Sequence, residues 1–588
     1  MFIIQILILF ILFYLPGYLI SSKKFQGEER FCFSFGFSIL MYAGLAVVLH
    51  LFKIPILWSL AVFPLSLITL FFRRPDFNIP GKLLLIFGIT LILYASVSTI
   101  SKFPISGDSY WHISLAKSFL TDKAWVVLPF TESYWQGIDK AFYAQYRPPL
   151  FNLILGFVFS IFGQSFEVAK LVLVLFIVSI LLPIYLIAKK LYSENCAIYS
   201  TILLITINPC FLSGPFEITG PSSCVYFSLC LFYLYLKRDW NYVAIIGAGS
   251  YLLHPASLFL ILSLILIELI RDRKVIFEVI KNRKIQIKAS YFYPIFIFLL
   301  LISPWLIRNY LIFGNPVHTS GKYISITRTW QEFLTLNPPT LKSYLEFILN
   351  PITFLQTKIG SLYLTFLPRP YSITFSTWDM QALWNPVRLN AALAGFLSYP
   401  LLIVVLYGII KWSTKLIPSL FYLGLIICLC VSGPRAGYTG FLISHCVLLG
   451  IFGINIIINR KILISLIGII LILQSIYVVY DRYSQKEIPE QKLYSWIKDN
   501  TGSDEKIMIC DAHAIAYWTG RKGFFTPNEN METILDCIKK WDIDYFIIGE
   551  PDLRLRNIDI NRVEKEYKFL AEKVGYRIYK ILENSVVS

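Results

Sequence analysis

The sequence predicts an all-α polytopic membrane domain of about fourteen transmembrane helices followed by a small soluble α/β domain, and three observations predict it. Hydrophobic residues make up 56% of the 588, and the mean hydropathy is +0.64, beyond what a soluble globular chain of this length carries. Apolar runs long enough to cross roughly 30 Å of hydrocarbon recur from the N-terminus to about residue 480, where the chemistry turns mixed and charged. The basic residues fall between those runs. The expected division is a membrane domain over 1–484 and a soluble domain over 485–588.

The first apolar run, 2–20, has no basic segment before it and no small-residue cleavage site after it, which predicts a retained span and not a signal peptide. Lys23, Lys24 and Arg30 follow it; Arg73, Arg74 and Lys82 follow the third span, Lys189 and Lys190 the fifth, Lys237 and Arg238 the seventh. The cluster at 271–284, the pair Lys411 and Lys415, and the pair Arg460 and Lys461 continue the series. Drawn on about fourteen spans, all of these clusters share one side, the pattern of cytoplasmic loops. The net charge of +17 is thereby a topology signal, and a nucleic-acid partner is not expected. The same assignment puts both termini, the loops 101–150, 213–220 and 309–388, and the C-terminal domain outside the cytoplasm. It holds only if 150–163, too short to span comfortably, is an interfacial or re-entrant helix.

The soluble region alternates helix and strand signals: helix in PEQKLYSWIKDN, strand in KIMICDA, helix in METILDCIKKW, buried strand in DYFIIG, helix in RVEKEYKFLAEKV and a last strand in YRIYKIL. No glycine-rich phosphate loop follows the first strand. Asp511 and His513 flank one residue, and with nothing to complete a coordination set they are expected to be loop polar groups. Of the ten cysteines, Cys196, Cys210, Cys224, Cys230, Cys428, Cys430 and Cys446 lie in apolar runs and are expected as small core residues. Cys510 and Cys537 lie in the soluble region, where a disulfide cannot be inferred from sequence.

Three polar features stand out in the membrane half. In GDSYWHISLAKSFL, Asp108 opens a short amphipathic segment whose Ala116 and Phe119 are expected against the bilayer surface; the plain alternative for Asp108 is a helix cap. The same loop closes with YAQYRPPL, where Arg147 at the membrane surface suits a lipid phosphate or a snorkelling anchor. The next outer loop, SGPFEITGPSS, carries Glu217, and an acid at membrane depth is costly enough to suggest a function. Two acids facing one compartment suit a base with its partner, or a metal clamp.

The order of these features resembles the GT-C superfamily of polytopic glycosyltransferases, nearest the branch of protein O-mannosyltransferases and the aminoarabinose transferases of lipid A. The residues carrying the likeness are Asp108, Tyr110, Ala116, the stretch Trp125 to Pro129, YRPPL, Phe162-Gly163, Glu217 in FEITGP, SPWLIRN at 303–309, FGNP at 313–316 and GPRAGYTG at 433–440. It covers about 80–480, and the first three spans look like an addition. The resemblance implies a GT-C-like helical fold and transfer of a sugar from a polyprenyl or dolichyl phosphate carrier to a protein, lipid or glycan acceptor, typically with inversion, in a multi-pass cell-membrane protein with an extracytoplasmic site. Asp108 would be the catalytic base and Glu217 its partner. Tyr110, His112, Arg147, His254, Arg308, Arg435 and Tyr438 are the substrate-binding candidates, and no residue is assigned to a metal.

Two departures limit the mechanism. Asp108 is followed by Ser109 where many relatives carry a second acid, so a required metal is not expected, though a divalent ion stays an alternative. His254 stands where relatives often carry Lys or Arg beside the carrier phosphate; a charged imidazole would restore that contact. In the loop 309–388, His318, Tyr323, Trp378 and Asp379 are further candidates, since aromatic faces with amides suit sugars but also form interfacial belts. The competing function is a lipid-linked sugar flippase. A transporter should carry helix breaks and ionisable groups at mid-membrane in repeated halves, and no repeat is visible.

Overall fold

The computed structural model describes residues 2–21, 24–72, 79–100, 107–121, 126–127, 148–207, 220–254, 257–271, 289–313, 439–484, 490–549 and 558–581, with positions 316, 342, 345–346, 349–352, 552–553 and 556. Helices α1 (Phe2–Ile20), α2 (Gly27–Leu51), α3 (Val62–Phe72), α4 (Gly81–Ser98) and α5 (Gly107–Thr121) lead to a two-residue strand β1 (Val126–Val127). Then come α6 (Leu150–Phe162), α7 (Phe166–Ser179), α8 (Leu181–Leu191), α9 (Glu194–Thr201), α10 (Gly220–Lys237), α11 (Trp240–Leu253), α12 (Ser257–Arg271), α13 (Ala289–Phe313), α14 (Thr439–Ile457) and α15 (Lys461–Ser484). The C-terminal unit contains α16 (Gln491–Asn500), β2 (Lys506–Ile509), α17 (Ala512–Thr519), β3 (Lys522–Phe525), α18 (Met531–Trp541), β4 (Tyr545–Ile548), α19 (Ile560–Glu566), β5 (Lys568–Lys573) and β6 (Tyr576–Lys580).

Among the described residues four helical stretches are long and apolar enough to cross a membrane: Gly27–Leu49, Gly81–Ser98, Phe166–Leu191 and Tyr293–Leu311. Leu85, Ile89 and Ile92 of α4, Leu299, Leu300 and Leu311 of α13, and Ile462, Leu466, Ile469 and Leu473 of α15 are exposed. So continuous an apolar periphery suits hydrocarbon and not water. Within Phe166–Leu191, by contrast, every residue from Val168 to Ala188 is buried by other helices, and this stretch forms the centre of the bundle. Much of 314–438 lies outside the described residues, so the expected number of spans is not compared.

Ion pairs mark one end of the bundle. Lys24 reaches Asp239 at 3.2 Å, Lys189 reaches Glu28 at 2.6 Å and Lys237 reaches Glu29 at 2.7 Å, joining the loops after α1, α8 and α10. The hydroxyl of Tyr233 donates to Glu29 at 2.5 Å and that of Tyr185 to Glu28 at 3.4 Å. Three of the basic clusters therefore meet at the same end. The 26 residues of Phe166–Leu191 rise about 39 Å, which puts Phe166 at the opposite end.

Helix α6 begins after Pro148-Pro149 and ends at Gly163, whose φ of +86° is open to glycine at no steric cost. Its 13 residues span only about 20 Å, and Leu150 to Phe159 are all buried, as a re-entrant helix covered by protein must be. Ser165 then caps α7 by accepting from the Val168 N–H at 3.2 Å. Gly156 of α6 allows a close approach to α5: a Cβ there would stand 3.1 Å from the Ala116 carbonyl oxygen. This corrects one expectation. Ala116 and Phe119 do not face the bilayer; both are buried, Phe119 in a cluster with Ala46, Ile56 and Leu153. Another side of α5, with Tyr110, Trp111 and Leu115, is covered by the C-terminal unit, so the helix has two protein partners.

The C-terminal sheet has the order β1-β3-β2-β4-β6-β5. β1 pairs in parallel with β3, Val126 opposite Gly523 and Val127 opposite Phe524, so the segment after α5 supplies an edge strand to a sheet formed some 400 residues later. β2 is parallel to β3 and β4, while β6 is antiparallel to β4 and β5. The segment 562–574, expected as one helix, is helix only to Glu566 and then strand β5. Pairing with β6 overrides the helix propensity of its Glu, Lys, Leu and Ala residues. Val574 and Gly575 make the turn with φ of +54° and +76°, the twist a two-residue hairpin needs. Cys510 and Cys537 are both free thiols.

Candidate functional site

Asp108 is the second residue of α5, in the first turn, where the helix dipole favours a carboxylate. Its side chain lies outside the described part of the structure, as do Arg147, Glu217, Arg435 and Tyr438 and the candidates His318, Tyr323, Trp378 and Asp379. What the structure describes is the setting of α5. One and three residues beyond Ser109 the helix meets two different partners.

Toward the membrane domain, His112 is buried with Nδ1 2.8 Å from Asn152 Oδ1 of α6. A carbonyl oxygen only accepts, so Nδ1 carries a proton in this contact. The imidazole also meets the Phe151 ring edge-to-face at 5.0 Å. Toward the C-terminal unit, Tyr110 is buried and its hydroxyl accepts from Trp518 Nε1 of α17 at 3.0 Å. The Tyr110 ring lies 5.3 Å from that of Tyr517, and Trp111 lies 6.2 Å from His513. Tyr110, Trp111 and Leu115 share one buried cluster with Leu493, Ile497, Ile515 and Ala516. Tyr517 also lies against the Phe166 backbone and the Glu167 carboxylate at the start of α7. Helix α5 is therefore held between the two units.

Of the other candidates, Arg308 is buried in α13, donates from Nη1 to Asn309 Oδ1 at 2.8 Å, and stacks over Trp305 at 4.7 Å. Asn309 in turn donates to the Pro316 carbonyl at 3.4 Å, tying SPWLIRN to FGNP. His254 is buried as the C-cap of α11, its N–H donating to Ser250 O at 3.0 Å. Tyr251 and Trp305, each three residues before one of these basic side chains, belong to one cluster with Ala248 and Ile302. Packing of α11 on α13 thus brings the His254 and Arg308 segments together. Tyr110 and His112 are brought together on α5 only as neighbours facing different partners.

Two groups were missed by sequence reasoning. Lys170 of α7 is buried, donates to the Ser98 carbonyl at 2.5 Å and lies 4.6 Å from the Phe166 ring. A lysine inside an apolar run was the available signal. Asn152, one polar residue in LFNLIL, was the other. Asp511 and His513 are not the loop groups expected: Asp511 caps α17, accepting from Ala514 N at 3.4 Å, and His513 is in its first turn with its ring 5.2 Å from Phe525. Among the described residues no cluster of three or more His, Cys, Asp or Glu side chains could hold a metal.

The Asp511 carboxyl is packed about with protein, and burial pushes it up to about 6 against the Ala514 N–H that favours ionisation, with Glu490 adding to the rise. A raised carboxylate binds its proton more tightly folded than unfolded, so stability falls as pH climbs from about 4 to about 6 and is level above. Asp511→Asn keeps a cap-competent oxygen and has no charge to bury. We expect it to stabilise the C-terminal unit by about 1–2 kcal/mol at pH 7 and to flatten the slope between pH 4 and 6, read by hydrogen exchange of the β2 amides in the full-length protein.

The chain was compared with known proteins. Residues 146–307 match the family described as dolichyl-phosphate-mannose-protein mannosyltransferase, a stretch that begins at YRPPL, contains Arg147, Glu217 and His254 and ends one residue before Arg308. The GT-C resemblance is therefore shown by a family match over that stretch. No curated protein matches the sequence. Among solved structures, ArnT from Cupriavidus metallidurans bound to undecaprenyl phosphate is similar at 10% identity, over 86% of this chain and 99% of that one, with a TM-score of 0.45. The Archaeoglobus fulgidus oligosaccharyltransferase complexed with Zn and sulfate is similar at 12% identity over 84% and 74% of the two chains, TM-score 0.46. The same enzyme tethered to an acceptor peptide containing the NVT sequon gives 12% identity, 85% and 75%, and 0.47.

Proposed function

We propose that the protein is a glycosyltransferase that moves a sugar from a polyprenyl or dolichyl phosphate carrier to an acceptor on the extracytoplasmic face. The observation that carries this is the family match over 146–307, which starts where the loop bearing Asp108 re-enters the membrane domain. The side follows from the ion-paired basic loops at the opposite end, which the charge bias assigns to the cytoplasm.

In this reading the acceptor nucleophile attacks the anomeric carbon while the bond from that carbon to the carrier phosphate oxygen breaks. The acceptor proton passes to the Asp108 carboxylate, Glu217 orients the acceptor or Asp108, and the lipid phosphate departs as an anion. Arg147, Arg308 and Arg435, with His254 when protonated, are the cations proposed to hold that anion, and Tyr438 lines the substrate side, while Tyr110 and His112, turned to their protein partners, hold α5 in place. Attack opposite the leaving group inverts the anomeric centre.

The test is transfer in liposomes from a panel of undecaprenyl and dolichyl phosphosugars, with the stereochemistry of the product read by NMR. Transfer with inversion supports the reading. Movement of the carrier across the bilayer with no glycosidic bond formed would replace it by the flippase, and a retained anomeric configuration would remove the single displacement.

A further inference from the structure

We propose that the C-terminal unit is part of the transferase site, and that Trp518 is a positioning residue that sets the turn of α5 carrying Asp108. This rests on the function proposed above, and it deepens it by naming what holds the base in place. The sequence predicts a small soluble domain over 485–588, and α5 is pinned from both sides. On one side are the His112–Asn152 contact at 2.8 Å and the close approach of Ala116 to Gly156. On the other are the Trp518 N–H to the Tyr110 hydroxyl at 3.0 Å and the ring of His513 on Trp111 at 6.2 Å.

Beyond its last turn the same segment continues into β1, which is an edge strand of the C-terminal sheet. The helix is thus held at its first turns by α17 and past its end by β3. Asp108 lies one turn before Trp111 and His112 along α5, so rotation or translation of the helix moves the carboxylate directly. Trp518 is itself fixed: its ring stacks on Tyr494 at 6.1 Å with an interplanar angle of 8°, and Tyr517 crosses it at 5.0 Å. An indole N–H on a rigid ring is a donor of set position. The other anchor, the Tyr110 hydroxyl, is on the residue two after Asp108.

Displacement of a reacting group by about 1 Å is enough to cost about 100-fold in rate. The carrier phosphate is held, in our reading, by residues outside α5, so losing the Trp518 contact should lower kcat and leave the KM for donor nearly unchanged. The experiment compares wild type, Trp518→Phe and Trp518→Ala as full-length proteins in liposomes. Trp518→Phe keeps a ring against Tyr494 and loses only the donor; a 3- to 10-fold fall in kcat is expected. Trp518→Ala should lower kcat by about 10- to 100-fold. Hydrogen exchange of residues 107–121 should speed up in the same order, while β2 and β4 stay protected, and binding of undecaprenyl phosphate should be unchanged.

Equal kcat and equal α5 exchange in Trp518→Phe and wild type would overturn the proposal while leaving the transferase reading intact. A rise in donor KM at constant kcat would also overturn it, since that would make Trp518 part of donor binding. Should wild type transfer no sugar from any donor, the function fails and the α5 exchange alone decides whether Trp518 sets the helix. Loss of β2 and β4 protection in Trp518→Ala would leave the decision to Trp518→Phe.

Discussion

Replacing Asp108 by Asn is expected to lower sugar transfer by about 10²- to 10⁴-fold with the fold and carrier binding preserved. The substitution keeps the shape and a hydrogen-bonding oxygen but cannot take up the acceptor's proton. Its place in the first turn of α5 makes the test clean, because Asn is tolerated near a helix N-terminus and no cap is lost. A base must be ionised to take up the acceptor's proton, so the wild-type rate should fall on the acid side, where Asp108 is protonated. The measurement is single-turnover transfer between pH 4 and 8 for both proteins. A mutant rate within threefold of wild type, or an unchanged acid limb, would remove Asp108 as the base and shift the role to Glu217.

Why this residue could be named from sequence and its support could not is a matter of range. The amphipathic segment after Asp108 is a local pattern, and α5 forms where that pattern lies. The long apolar runs of α2, α7–α8 and α13 are local in the same sense, since period and length alone specify a span. The Tyr110–Trp518 contact joins residues 408 apart, and nothing near either residue encodes the other. β1 has two residues, too few for any periodicity, and exists because β3 offers it an edge. The same holds for α17 and β3, which are short and whose interior residues Ala512, Ala514, Ile515 and Phe524 are buried by neighbours on both sides. β5 fails in the opposite way: its residues favour helix, and only the hairpin with β6 makes it a strand. Local chemistry thus names a candidate acid, and long-range packing decides what holds the helix that carries it.

That packing depends on one buried ion pair, which makes Asp552→Ala the largest stability effect expected in the molecule. Arg556 Nη1 lies 2.6 Å from Asp552 Oδ1 with the side chains 3% and 0% exposed. The second carboxylate oxygen accepts from the Gly549 N–H at 3.0 Å just past β4, and Arg556 Nε donates to the Pro527 carbonyl at 3.0 Å just past β3. Burial raises the Asp552 carboxyl, and Arg556, the Gly549 N–H and the Cys510 thiol offset only part of that rise, so the ionised form leans on these partners. Removing the carboxylate leaves a buried guanidinium and an unpaired backbone N–H, a loss of about 3–5 kcal/mol, comparable with the whole stability of a small domain. The strands β2 to β4 should then exchange freely in the full-length protein, and with their sheet lost, β1 and α17 release α5 and transfer falls with them. Asp552→Ala combined with Arg556→Ala should cost less than Asp552→Ala alone, because no charge is left buried without a partner. Thermal unfolding of the two variants in detergent decides it: a single variant within about 1 kcal/mol of wild type, or a double variant no better than the single, would show that the pair does not hold the ends of β3 and β4 together.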